Sequence, residues 1–197
     1  MSRKSMTAAE LMAELANDSE YQQKLREKAS QREQLERELA SDEAALVSEL
    51  RERGIIVHSV WDLVNTNTSY RTAIPILAKH LDTRHHPRTV QGLVRALTTP
   101  ESQGIAFDQL VKAFVREVDA DSELKWLLGA AIAEASTSDD VDKVIELANN
   151  PIHGQGRSFL PLGLVRASKE KVYPFLEAWT SDRTLAENAI KAMQLFR

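Results

Sequence analysis

The sequence predicts an all-α protein: an α-solenoid of about four helix pairs preceded by a long helical N-terminal arm. Three observations lead there. Residues 7–53 contain no Pro or Gly and are rich in Glu, Arg, Gln, Ala and Leu, residues that lose little rotamer freedom in a helix. From Tyr70 onward, apolar residues recur at helical spacing in segments of roughly 10 to 16 residues, and these segments fall into pairs. Matching positions return at a nearly constant interval, 33 residues from Leu77 to Leu110 and 99, three times 33, from Pro75 to Pro174. Helix pairs repeating at that period bury their apolar faces against their neighbours and form a solenoid.

The elements follow in order. Residues 1–6 read as a disordered leader, and 7–54 as the arm. Leu11 and Leu15 form one apolar pair; Asp18 or Ser19 then caps a second helix whose Leu25, Leu35, Leu39, Leu46 and Leu50 make a narrow stripe ending at Gly54. So thin a stripe buries one edge only, either along the rest of the chain or against a second copy in a homodimer. Residues 55–69 read as a short helix, capped by Ser59 and riveted by Trp61, followed by a turn at "NTNTS". Residues 70–197 hold the pairs: "TAIPILAKHL" with "HPRTVQGLVRAL", "IAFDQLVKAFVREV" with "SELKWLLGAAIAEAS", "DDVDKVIELANN" with "RSFLPLGLVRAS", and "KEKVYPFLEAW" with "DRTLAENAIKAMQLF".

Composition narrows the chemistry. The chain has 197 residues, 43% of them hydrophobic, long enough to bury about 70% of the surface its unfolded form exposes. It has no cysteine, which excludes disulfides, thiolate metal sites and cysteine nucleophiles. No apolar run approaches the roughly 20 residues a membrane span needs, so a cytoplasmic protein without membrane partners is expected. Net charge is −4, with 9 Lys+Arg against 12 Asp+Glu in residues 1–53 and 16 against 17 in the remainder. That balance makes nucleic acid an unexpected partner. No GxSxG elbow, dinucleotide fingerprint, kinase set or HExxH occurs. His80, His85 and His86 read as solvated turn residues rather than metal ligands, and "DADSE" and "STSDD" as helix caps. No catalytic residue, metal or cofactor is expected.

"AIPILAKHL" followed by "HPRTVQGLVRAL" resembles a HEAT repeat, with a proline in the leading helix, an apolar stripe, and a second helix carrying Arg and a small-residue face; "KVYPFLEAW" repeats the proline. Together with "TAAELMAELANDSEY" and "SVWDLVNT", these segments look like bacterial HEAT-repeat, armadillo-like proteins of uncharacterised function. The resemblance spans residues 70–197 and implies that second helices line a concave groove where partners bind.

The pentapeptide GLVRA occurs twice, at Gly92–Ala96 and Gly163–Ala167, each time with a glycine inside a helical pattern that costs about 1 kcal/mol relative to alanine. On a helical wheel Gly92 and Ala96 form a small edge for close approach of another helix, while Arg88, Gln91 and Arg95 gather on a different side. Groove binding would then use Arg88, Gln91 and Arg95, with Arg166 as their later equivalent, to meet carboxylate or phosphate groups on a partner. Trp126, on the far side of its helix from the Leu124–Leu127–Leu128 arc, supplies an aromatic anchor. The expected function is a non-catalytic scaffold or adaptor binding a protein partner. The HEAT resemblance leaves as alternatives a DNA-binding protein or alkylpurine DNA glycosylase, a tetrapyrrole lyase or chaperone, and a toxin-neutralising immunity protein.

Overall fold

The computed structural model describes residues 7–64 and 66–196, and among these every regular element is helical. Helices α1 (Ala8–Asn17) and α2 (Ser19–Glu52) occupy the segment read as the arm. Asp18 separates them as expected: its carboxylate accepts the amide protons of Glu20 and Tyr21 at 2.9 and 3.1 Å. The 1–6 leader, the side chain of Leu11 and the Asn65 position of the "NTNTS" turn lie outside the described residues. Gly54, at φ +78°, follows the end of α2, a conformation that a side chain would oppose.

The chain divides into two compact units at Ser41 and Asp42, within α2. In the first, the described surface of α2 carries ion pairs one turn apart, Glu20–Lys24, Arg32–Glu36 and Glu33–Arg37. Its apolar side chains are largely open, Met12 at 69% and Leu25 at 43% exposure. The two final stripe residues, Leu46 and Leu50, belong to the second unit and are fully buried in its core. The last turns of α2 therefore belong to the core of the second unit.

In the second unit, α3 (Trp61–Val64) packs on α5 (Pro87–Leu97), and α4 (Ile74–His80) pairs with α5. Next come α6 (Phe107–Arg116) with α7 (Glu123–Ala135), α8 (Val141–Asn149) with α9 (Leu160–Gly163), and α10 (Lys169–Trp179) with α11 (Ala186–Leu195). Each leading helix packs on its successor, and the second helices contact one another in sequence, α5 with α7, α7 with α9 and α9 with α11. One continuous apolar core runs from Leu46 to Ala192.

The element expected over "RSFLPLGLVRAS" is much shorter than foreseen. Only Leu160–Gly163 is α-helical, flanked by 3₁₀ turns over Pro151–Arg157 and Leu164–Arg166. Pro161 can sit in a first turn but not deeper, which fixes where this helix begins. Capping follows the sequence reading: the Ser122 hydroxyl accepts the Lys125 amide at 3.0 Å, and Thr137 with Asp140 closes a capping box.

Candidate functional site

Helix α5 presents Arg88 to solvent, with Gln91 and Arg95 half-buried beside it. The Arg88 guanidinium stands 5.7 Å from the Trp61 ring centroid, a cation–π contact. Arg95 donates to Glu123 at 3.0 Å and so joins the surfaces of α5 and α7. On α7, Trp126 is 40% exposed and meets Phe159 edge to face, centroids 4.9 Å apart. This aromatic corner opens into a cleft of about 400 Å³ whose other wall is α11 and the turn before it, with Arg183, Glu187, Asn188 and Lys191. Lys191 is paired with Glu187 at 2.6 Å.

Arg166 sits differently from its expected role. It belongs to a 3₁₀ turn rather than a helix, and its guanidinium donates to the Ala133 carbonyl at 2.9 Å and to Glu134 at 3.4 Å. With its amide oxygen turned inward, Gln103 accepts from the same guanidinium at 2.9 and 3.0 Å. Arg166 thus closes the C-terminal end of α7, whereas Arg95, its counterpart in the first GLVRA copy, pairs with Glu123.

Both GLVRA glycines are places of close approach, against different partners. A Cβ on Gly92 would lie 2.5 Å from Val60 Cγ1 and 3.0 Å from Trp61 Nε1; one on Gly163 would lie 2.8 Å from Ser136 Oγ and 3.2 Å from Ala133 Cα. The small edge on α5 therefore receives α3 and its flank, not a helix of another pair. Trp61 acts as the rivet there.

His80 ends α4 and His85 and His86 lie in the turn before Pro87 as expected, but the solvated reading of His80 and His85 is overturned. His80 is only 4% exposed and the His85 side chain likewise 4%, and they are linked: His80 Nδ1 is 3.0 Å from His85 Nε2. His85 Nδ1 is 3.1 Å from Asp42 Oδ2, while Asp42 Oδ1 accepts the His86 amide at 3.0 Å. Residues 43 positions apart are needed to bury these rings, which no local pattern announces. His85 also lines a cleft of about 380 Å³ with Arg84, Arg116, Val90, Leu124 and Leu128. Both its ring nitrogens are occupied internally, so it offers that cleft no proton donor or acceptor.

Among the described residues, no group of three or more His, Cys, Asp or Glu side chains is arranged to hold a metal ion, and no helix is long and apolar enough to cross a membrane. Phe159, Arg183 and Lys191, which complete the corner at Trp126, were not legible beforehand; they come from α9's flank and α11 and converge only in three dimensions. Comparison with known protein families, with curated proteins and with solved structures gives no match.

Proposed function

We propose that the chain is a non-catalytic, HEAT-like interaction module that holds a protein partner along the exposed surface of α5 and α7, with Trp126 as its anchor. The observation that carries this reading is the Trp126 corner: a 40% exposed indole, held in place by Phe159 and bordered by cationic residues. Tryptophan and arginine dominate binding energy at protein interfaces because they combine large apolar area with directed polar groups. The succession α5, α7, α9, α11 supports a solenoid arrangement, in which rigid neighbouring helices present a surface that needs little ordering when a partner docks.

The test is capture from a lysate of the native source by the immobilised full chain, comparing wild type with Trp126→Ala and with Arg88→Glu/Arg95→Glu. A protein retained by wild type and lost from both variants, while their thermal unfolding stays near wild type, is the expected result. Capture indifferent to both changes would remove this surface from consideration. Retention of nucleic acid, falling steeply with salt, would move the assignment to the DNA-binding alternative.

A further inference from the structure

His80 and His85 form a buried chain between two carboxylates of α2. Its contacts are Asp42 Oδ2 to His85 Nδ1 at 3.1 Å, His85 Nε2 to His80 Nδ1 at 3.0 Å, and His80 Nε2 to Glu49 Oε1 at 3.4 Å. Lys79 reaches both Glu49 oxygens at 2.9 Å, and Thr89 of α5 lies beside Asp42. Glu43 of α2, which accepts the Thr89 hydroxyl at 3.4 Å, and Asp82, Arg84, Arg116 and Glu117, which share a cleft with His85, complete the charged and polar groups around the pair.

Counting protons defines what the chain can do. Each of the three contacts requires one N–H, because ionised carboxylates only accept and the central contact joins two ring nitrogens. Both carboxylates are held ionised. For Asp42, burial opposes ionisation, but hydrogen bonds from Thr89, the His86 amide and His85 bring its titration below the usual range; for Glu49, the bond from Lys79 does so. Two neutral imidazoles bring two N–H groups, so one contact stays unfilled. The unfilled one is the longest, at His80 Nε2, a buried nitrogen without a hydrogen-bond partner. One added proton fills it. A second would place N–H groups on both nitrogens of the central contact, pointing at each other across 3.0 Å, and would break it.

We propose that the His80–His85 pair is an acid-released latch that holds the turn between α4 and α5, Leu81–His86, against the core-facing end of α2. The folded pair accommodates at most one proton beyond neutrality, whereas the freed turn accommodates two, each imidazole then titrating near 6.5. Acid therefore drives release, and the opening equilibrium of the turn rises about tenfold per pH unit once the freed imidazoles are protonated and the latched pair is one proton behind. The direction at His80 agrees: burial, with His85 and Lys79 adding to it against the opposing pull of Glu49, holds its titration below the ordinary imidazole value. Because Asp42 also receives the His86 amide, and His86 Nδ1 receives the Arg88 amide, release loosens the first turn of α5. The latch stands independently of the partner reading.

Amide hydrogen exchange of the full chain between pH 7.5 and 4.8, corrected for intrinsic rates, tests it. The expected result is exchange over residues 81–88 that accelerates on acidification by more than any rise in α7, which packs on the turn carrying His153. In His80→Gln/His85→Gln this acid response should disappear; His86 is retained in that variant, so a response due to His86 alone would persist and overturn the proposal. Should the variant fail to fold, ring-nitrogen spectra of wild type decide. One proton shared by both rings before residues 81–88 open supports the latch, and independent titration of the two rings, or exchange rising equally in α7, overturns it.

Discussion

Gly92 and Gly163 carry the same five-residue signature and solve two different packing problems. The first makes room for Val60 and Trp61; the second lets α9 lie against Ala133 and Ser136 of α7 and its end. What the sequence made legible was the need for a small residue, since a glycine inside a helical pattern is costly unless something presses on it. The identity of what presses was hidden, because Trp61 precedes Gly92 by 31 residues and meets it only after folding. Gly92→Leu should overfill this contact and lower stability by about 1–3 kcal/mol, read from the denaturant midpoint at unchanged slope. Unaltered stability would mean that the close approach carries no weight. His153 gives a second expectation at this scale. It is 7% exposed beside the Phe114 ring, and burial, then the charges of Lys125 and Arg157, hold its titration below the ordinary imidazole range. A histidine lowered in the fold costs stability as pH drops from its unfolded value near 6.5 toward its folded one. His153→Phe should flatten that part of the stability–pH curve while leaving the response of residues 81–88 in place.

At the level of elements, cationic side chains close the carbonyl ends of α4, α6, α7 and α8. Arg116 donates to the Leu81 carbonyl at the end of α4, buried Lys125 to the Phe114 and Glu117 carbonyls at the end of α6, and Arg157 to the Ala148 carbonyl near the end of α8. Arg166 does the same for Ala133 in α7. The last carbonyls of a helix have no partner within it, and a cation there also opposes the negative end of the helix dipole. Burial lowers the titration of Lys125, against the opposing pull of Glu117, and its ammonium stands 4.2 Å over the Phe114 ring. Lys125→Met should therefore cost about 1–3 kcal/mol by chemical denaturation, since two carbonyl oxygens lose their donor in a place with little room for water. None of these caps could be read from the sequence. Their donors and acceptors lie 8 to 35 residues apart, whereas the caps that were read, at Asp18, Ser122 and Thr137, are local and act within a few residues. The shortened α9 shows the converse, periodicity alone carrying a helix across Pro161 and Gly163 where the backbone tightens into 3₁₀ turns.

For the whole molecule, helix content and pairing were legible because apolar spacing repeats over the entire second unit, while the point of division was not. The leucine stripe, interrupted near "SQREQ", extends from Leu25 to Leu50, yet Leu25 is 43% exposed and Leu46 and Leu50 have no exposure. A stripe records which face is apolar and is silent about how much core stands opposite it. Limited trypsin digestion should accordingly cut first among Arg26, Lys28, Arg32 and Arg37, leaving a resistant fragment that retains Asp42 onward; early cleavage within α5 or α7 would contradict this division. The helix-end cations have one further consequence. Arg157 spans from the Ala148 carbonyl to the Asp182 carboxylate, and Asp182 in turn accepts the amides of Thr184 and Leu185 at the start of the last turn before α11. The α10–α11 pair is thus tied to the α8–α9 pair by a shared charge, so parting the two must first strand a buried guanidinium, and the seam between them behaves less as a gap between beads than as a clasp.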